Sequence, residues 1–132
     1  MNKNRETELI ESLESCVNMQ NIDVGKYFNN LKQLGKIIET KSDFKKVLEF
    51  CTILGNQERL KIIQILRDQD RCVCELEAIL DKSQPTISHH LRELERLSLI
   101  RSFKQGKFTH YDLVEKQLQN YIFLMNKELG KK

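Results

Sequence analysis

The side chains with the most distinctive chemistry in this chain are two cysteines separated by one residue, Cys72 and Cys74. On a regular helix, residues two apart point about 200° away from each other, whereas in an extended segment they share a face. We therefore expect residues 72–74 to be extended, with Val73 directed inward and Cys74 at the N-cap of the next helix, where Glu77 would complete a capping box. The positive end of the helix dipole would stabilise the thiolate that binds soft ions. The pair is thus half of a candidate site for a thiophilic metal or metalloid ion, which needs one or two further ligands.

Cys16 and Cys51 are additional candidate ligands. Both fall on apolar faces of predicted helices, where a cysteine more often packs as a small hydrophobic side chain than binds an ion. The N-terminus lacks the apolar core of an export signal, so we expect a cytoplasmic protein with reduced thiols. A thiol redox switch remains the alternative to ion binding. Its disulfide would join different segments or subunits, because a bond between residues two apart is strained.

We do not expect catalysis from this sequence. A thiol enzyme needs a cysteine positioned by a base, and the three histidines, His89, His90 and His110, fall on the predicted helix and hairpin described next. The sequence contains no phosphate-binding loop and no pair of carboxylates in a plausible cleft. The chain is therefore predicted to be a non-enzyme without an organic cofactor.

A second group of polar and basic side chains lies between residues 83 and 111, where basic residues exceed acidic ones by three, the same excess as in the whole chain. A helix with Pro85 in its first turn is predicted to bury an apolar face that includes His90. Short polar side chains on its other face suit base edges in the major groove, and basic side chains suit phosphates. The candidate DNA contacts on this helix and the hairpin after it are Gln84, Thr86, Ser88, His89, Arg92, Lys104, Gln105 and Lys107. His110, on the returning strand, is expected to be structural.

The elements around these residues are predicted to be mainly helical, since 132 residues contain only one proline and five glycines. Helices are expected over 6–19, after Gly25, from an N-cap at Ser42, over 57–67 and over 75–80, followed by the Pro85 helix, a hairpin turning at 105–107 and a C-terminal helix. No apolar run is long enough to cross a bilayer, and no membrane partner is expected. The expected inward faces are Leu9, Leu13, Cys16 and Val17; Tyr27, Leu31, Leu34 and Ile38; Phe44, Val47, Leu48, Cys51 and Leu54; Leu60, Ile63 and Leu66; Leu76, Ile79 and Leu80; Ile87, Leu91, Leu94 and Leu97; and Leu118, Ile122, Met125 and Leu129.

Two short apolar helices joined by a tight turn and followed by a hairpin form a winged helix-turn-helix pattern. Residues 83–94, SQPTISHHLREL, resemble the recognition helix of the ArsR/SmtB family of winged-helix repressors, and residues 99–113, LIRSFKQGKFTHYDL, are similar to its wing. Residues 54–66, which include Arg59, resemble the helices that precede them. The resemblance covers about residues 43–113. It implies a homodimer that occupies a palindromic operator on double-stranded DNA and blocks transcription until an effector binds, with DNA contacts from Gln84, Ser88 and His89.

The resemblance also extends to the thiol pair. Cys-Val-Cys before this helix is the signature of the arsenic-responsive and cadmium/lead-responsive branches, which implies arsenite, cadmium, lead or zinc as effector. The arsenic branch often has a third cysteine where this chain has Glu77. The cadmium/lead branch adds thiolates from an N-terminal arm, commonly of the opposite subunit, a part that Cys16 would take. The family's other site, on the C-terminal helix, uses histidine, and residues 115–128 contain none, so we do not expect it here.

The fold predicted from these observations is mainly α with a β-hairpin wing, dimerised through the N- and C-terminal helices. Residues 1–41 would be a helical extension used for dimerisation, residues 42–113 the winged helix-turn-helix DNA-binding domain, and residues 114–132 a C-terminal dimerisation helix. One small core cannot cover the whole apolar stripe of the C-terminal helix, which is our reason for expecting a dimer. A DNA-binding regulator without a ligand is a further alternative, and it would bind with little sequence preference and a steep salt dependence.

Overall fold

The computed structural model describes residues 2–16 and 23–131, which divide into two compact units, Met1–Ser42 and Asp43–Lys132. The elements, in chain order, are α1 (Lys3–Cys16), α2 (Val24–Thr40), α3 (Ser42–Leu54), α4 (Gln57–Asp68), β1 (Arg71–Cys72), α5 (Val73–Leu80), α6 (Gln84–Arg96), β2 (Ile100–Gln105), β3 (Phe108–Leu113) and α7 (Glu115–Leu129). The predicted mainly helical fold with a hairpin is therefore confirmed. Within the described residues, none of the helices has the length and apolar character needed to cross a membrane.

The first unit consists of α1 and α2, which pack against each other. Lys32 Nζ lies 2.9 Å from Glu6 Oε1 across the pair, and Asp23 caps α2 by accepting a hydrogen bond from the Lys26 backbone N–H. Phe28 is the buried residue of α2. The face that we expected to point inward is instead solvent-exposed over most of its length, with Leu31, Leu34 and Ile38 between 37% and 54% exposed. Val17, which ended the predicted stripe of α1, lies outside the described residues.

The second unit surrounds one hydrophobic core built from α3 to α7 and the sheet. The helix-turn-helix is formed by α5 and α6, between which Asp81 adopts a left-handed conformation with φ 51°. Pro85 lies in the first turn of α6, where its missing N–H costs no helical hydrogen bond. The apolar face predicted for α6 is confirmed, because Ile87, Leu91, Leu94 and Leu97 are all at most 5% exposed.

The sheet has three antiparallel strands in the order β1-β3-β2. The hairpin of β2 and β3 is the predicted wing, and its two-residue turn has Gly106 with φ +63° at the first position, as a type II′ turn requires. The short strand β1, Arg71–Cys72, pairs with β3 so that Cys72 is opposite His110. This third strand, which was not predicted from the sequence, connects the segment before α5 to the wing.

Several of the predicted inward positions are wrong. Leu48, Cys51, Leu60 and Ile79 are exposed, whereas the buried residues of α3 and α4 are Val47, Phe50, Ile53, Ile62, Ile63 and Leu66. These helices carry adjacent apolar residues, so more than one helical stripe fits the sequence, and the neighbouring elements decide which one is buried. Ser42 is the first residue of α3 rather than its cap.

The C-terminal helix, α7, packs on the hydrophobic core of the second unit more completely than expected. Leu118, Ile122 and Met125 all lie against the core cluster, so they give no reason to expect a dimer. The ring of Tyr121 stacks on that of Phe50, with centroids 4.8 Å apart. The apolar side chains that α7 leaves in solvent are Phe123, 72% exposed, and Leu129, 70% exposed.

Candidate nucleic-acid interface and thiol site

The exposed face of α6 carries the polar side chains predicted to contact DNA. Gln84, His89 and Arg92 are exposed, and Thr86 and Ser88 are partly buried beside them. The Thr86 hydroxyl lies 3.0 Å from that of Ser83, the N-cap residue, so part of its hydrogen-bonding capacity is used within the first turn. Gln84 and Thr86 lie in the first turn of α6, and none of the five predicted residues belongs to its buried face.

His90 fixes α6 to the preceding helices. It is 8% exposed, and its Nδ1 accepts a hydrogen bond from Arg59, 3.1 Å away. Arg59 Nε in turn donates to the carbonyl of Ile53 at 2.6 Å, near the end of α3. Burial lowers the pKa of His90 below its usual value, and the Arg59 charge lowers this pKa further. The predicted packing role of His90 is confirmed, whereas its partner Arg59 was singled out only through the family resemblance.

The wing presents free positive charge at its tip. Gln105 and Lys107 are exposed, and Lys104 Nζ donates to the Thr109 hydroxyl at 2.7 Å. Two of the basic residues that we counted in this region are paired with carboxylates: Arg101 lies 3.0 Å from Asp112, and Arg96 bridges Glu49 and Glu93. Among the described residues, the basic side chains of this region without a carboxylate partner are Arg92, Lys104 and Lys107. All three belong to the predicted DNA-contacting set.

Cys72 and Cys74 lie at the start of α5, but this helix begins two residues earlier than predicted. Extended backbone ends at Cys72, which is the N-cap residue, and Glu75 completes the capping box by accepting a hydrogen bond from the Cys72 backbone N–H at 3.1 Å. The prediction of an extended Cys72-Val73-Cys74 segment with Cys74 as the cap and Glu77 as its partner is therefore wrong. Cys74 lies in the first turn of the helix and is exposed. Val73 packs against the core, as predicted.

The charged side chains around the start of α5 stabilise its N-terminal cap. The hydrogen bond from the Cys72 backbone, together with the bond from Arg71 at 2.9 Å, lowers the pKa of Glu75 to about 2. Glu75 is thus an anion at the positive end of the helix dipole, where a negative charge is favourable. The sequence contained this signal, because Glu75 follows Cys72 at the spacing of a capping box just as Glu77 follows Cys74.

The other two cysteines are exposed rather than buried on apolar faces, which corrects the expectation for both. Cys16 is the last residue of α1, and Cys51 lies on α3 with its Sγ 3.9 Å from the Met125 sulfur. All four cysteines are free thiols. As the side chains are placed in residues 2–16 and 23–131, they form no group of three or more histidine, cysteine or acidic residues able to hold a metal ion. A complete site therefore needs movement of these side chains or a ligand from a second chain.

Comparison with known proteins decides the family. Residues 56–102, which include α4, α5, α6 and the thiol pair, match the model of the bacterial regulatory proteins of the arsR family. The cadmium resistance transcriptional regulatory protein CadC of Listeria innocua is 37% identical over 83 residues, covering 62% of this chain and 70% of that protein. The chain belongs to the ArsR family. The resemblance seen in the sequence is thereby confirmed.

Two further comparisons support the same assignment. The arsenical resistance operon repressor of Escherichia coli K12 is 42% identical over 67 residues, covering 50% of this chain and 57% of that repressor. The structure of reduced HlyU from Vibrio cholerae superposes with a TM-score of 0.57 at 27% identity, covering 70% of this chain and 98% of HlyU. The chain is a winged-helix transcriptional regulator, which confirms the predicted fold and the prediction that it is not an enzyme. Helices α1 and α2 lie outside the matched residues.

Proposed function

We propose that this ArsR-family protein is a homodimeric repressor that leaves its operator when a thiophilic metal or metalloid ion binds to Cys72 and Cys74. The observation that carries the proposal is the position of the two thiols at the start of α5, the first helix of the helix-turn-helix. An ion bound there acts directly on the element that supports α6. The similarity to a cadmium resistance regulator and to an arsenical resistance repressor favours cadmium or arsenite as effector. Lead and zinc are further candidates because they also bind thiolates.

The DNA-binding half of the proposal rests on the unpaired charges and the exposed face of α6. We place α6 in the major groove, where Gln84, Ser88 and His89 would meet base edges. Arg92, Lys104 and Lys107 would neutralise phosphates, since none of them is paired with a carboxylate in the described part of the chain. In a homodimer the two α6 helices are related by a two-fold axis, so they would bind a palindromic operator.

The dimer is supported by apolar side chains that the described units leave in solvent. Leu31, Leu34 and Ile38 of α2 and Phe123 and Leu129 of α7 are all exposed. Leu31, Leu34 and Ile38 are spaced three and four residues apart on one face of α2, and a contiguous exposed apolar patch marks an interaction site. We therefore retain the N- and C-terminal helices, residues 1–41 and 114–132, as the dimerisation elements on either side of the DNA-binding domain, residues 42–113.

The effector half rests on the chemistry of the donors. Two thiolates provide half of a trigonal or tetrahedral site, and a soft ion prefers them to oxygen ligands. We propose Cys16 of the other subunit as a further ligand and Cys51 as the weakest candidate, because the Cys51 sulfur already contacts Met125. An ion weakens DNA binding only by the difference between its affinities for the free and the DNA-bound conformations, typically 5- to 150-fold.

A titration of the reduced chain with Cd(II), Pb(II), Zn(II) and arsenite tests the effector. Thiolate-to-metal absorption and affinity for a selected operator are followed together, in the wild type and in Cys72→Ser, Cys74→Ser, Cys16→Ser and Cys51→Ser. We expect Cys72→Ser and Cys74→Ser to bind DNA normally and to lose the ion response, and Cys16→Ser to weaken that response. A full response in Cys51→Ser would exclude this weakest candidate as a ligand. Normal ion-driven release from the Cys72→Ser/Cys74→Ser double variant would contradict the proposal. Release by peroxide without any ion would instead support the redox alternative.

A second experiment tests the DNA contacts. Lys107→Ala is expected to weaken binding to all sequences alike and to reduce the slope of log affinity against log salt by about 1, as loss of one phosphate contact should. Gln84→Ala is expected to leave that slope unchanged and to relax the preference for one base pair, at a cost of about 1–3 kcal/mol. Equal salt slopes in Lys107→Ala and the wild type would show that the wing tip does not contact DNA.

A monomer in light scattering at micromolar concentration would contradict the proposed dimer.

A further inference from the structure

The sheet places a histidine beside the thiol site. Cys72 of β1 and Phe103 of β2 are both opposite His110 of β3. Residues directly opposite in an antiparallel pair share a face, with Cβ atoms about 4.5–5.5 Å apart. The thiol, the imidazole and the phenyl ring therefore form one row across the three strands, and the rings of Phe103 and His110 are stacked with centroids 5.5 Å apart.

Asp70 orients the imidazole of this row. His110 Nδ1 lies 2.9 Å from a carboxylate oxygen of Asp70, and the His110 side chain is 17% exposed. A carboxylate accepts hydrogen bonds, so Nδ1 carries the proton, and the neutral ring then has its lone pair on Nε2. A histidine held in this way by a carboxylate is the usual arrangement of a metal ligand, because the carboxylate fixes the tautomer and the ring direction.

We propose that His110 Nε2 completes the ion site with the Cys72 and Cys74 thiolates, an inference that rests on the proposed function of this thiol pair. Each cysteine sulfur moves by rotation about its Cα–Cβ bond, and Cys74 is exposed, so a common ion requires both side chains to rotate toward His110. Two thiolates and one imidazole suit Cd(II) or Zn(II). They suit arsenite less, because it is bound through sulfur alone.

This ligand set would connect the ion to the wing. His110 and Phe103 belong to the hairpin whose tip carries Lys104 and Lys107, whereas Cys72 and Cys74 belong to the start of α5. An ion shared by these two elements would add a second link to the β1–β3 pairing that already joins the wing to the start of α5. Ion binding would lower the affinity for DNA to the extent that the wing position it imposes differs from the position in the DNA-bound conformation.

The test compares ion binding by the reduced wild type, His110→Asn, Asp70→Asn and His89→Asn, which is the control for coordination by a histidine elsewhere. Asn at position 110 keeps an N–H for Asp70 but has no counterpart of Nε2. We expect Cd(II) affinity to fall more than about 100-fold in His110→Asn and about 10- to 100-fold in Asp70→Asn, and to be unchanged in His89→Asn. The ligand-field spectrum of Co(II) should change in His110→Asn alone.

A measurement on the wild type keeps the inference testable if a variant fails to fold. In ¹H–¹⁵N correlation spectra of the histidine rings, Cd(II) should shift the His110 Nε2 resonance strongly and the Nδ1 resonance little. Full Cd(II) affinity in folded His110→Asn, or an unmoved Nε2 resonance in the loaded wild type, would overturn the role of His110 while leaving the thiolate site intact. Absence of thiolate-to-metal absorption in the wild type would overturn the proposed function and this inference together.

Discussion

Replacing Cys72 with serine should remove the thiol and at the same time stabilise the chain, because Cys72 is the N-cap of α5. The acceptor of the N-cap side chain in this capping box is the Cys72 sulfur, and a sulfur is a weaker acceptor than a hydroxyl oxygen. A serine cap is worth about 0.5–2 kcal/mol over a residue with no acceptor at all, so its gain over a sulfur lies toward the lower end of that range. Because Cys72 is partly buried, the loss of its apolar contact offsets part of this gain. We expect a net gain of about 0.5–1 kcal/mol, equivalent to a rise in Tm of roughly 2–5 °C.

The assay is thermal and urea unfolding of the reduced, ion-free chain, followed by circular dichroism. Cys72→Ala, which has no cap acceptor, should be less stable than Cys72→Ser by about 1 kcal/mol. Cys74→Ser changes an exposed residue after the cap and should stay within about 0.5 kcal/mol of the wild type. The reverse ranking, with Cys74→Ser stabilised and Cys72→Ser unchanged, would show that the helix begins two residues later and would refute the reasoning.

Three further predictions concern the DNA-binding unit. Leu94→Ala, at a fully buried position of α6, should cost about 2–5 kcal/mol in urea unfolding, and a cost below about 1 kcal/mol would contradict its place in the core. Gly106→Ala should cost about 1–2 kcal/mol because of the positive φ alone, since nothing lies within 4 Å of the added Cβ, and a neutral effect on Tm would mean that the wing turn differs. Burial and Arg59 lower the pKa of His90, against an opposing effect of Glu58, so the unfolded chain binds more protons below pH 6.5 and stability should fall as the pH drops below that value. His90→Asn, which can still accept from Arg59, should reduce this pH dependence, and an unchanged slope would assign it to other groups.

The parts of the fold that were predictable from the sequence are those where one local pattern has one solution. In α6, apolar residues at 87, 91, 94 and 97 define a single stripe, and Pro85 marks the first turn. The wing was predictable because Gly106 lies between two runs that favour β-structure. In α4, by contrast, either Leu60 or Ile62 can form an apolar stripe with Ile63 and Leu66. Only packing against α6 and β3 decides that Ile62 is the buried one.

The residues around His90 show a second limit of sequence reasoning. A buried histidine on an apolar face is readable from spacing, but its partner Arg59 is 31 residues away and on another helix. Arg59 follows the cap residue Asn56, and its side chain reaches back to the carbonyl of Ile53, near the end of the preceding helix. Only the assembled fold brings these three groups together.

The register of the thiol site depends on the same kind of distant contact. Cys72 and Cys74 are each followed by a glutamate at capping-box spacing, so the local sequence offers two equivalent helix starts. Pairing with β3 decides between them: β1 takes up Arg71 and Cys72 opposite Tyr111 and His110, and the helix begins where that pairing stops. The strand that selects Cys72 as the cap is therefore the strand that places His110 beside it, so the position of the thiols and the identity of their proposed partner have one structural cause.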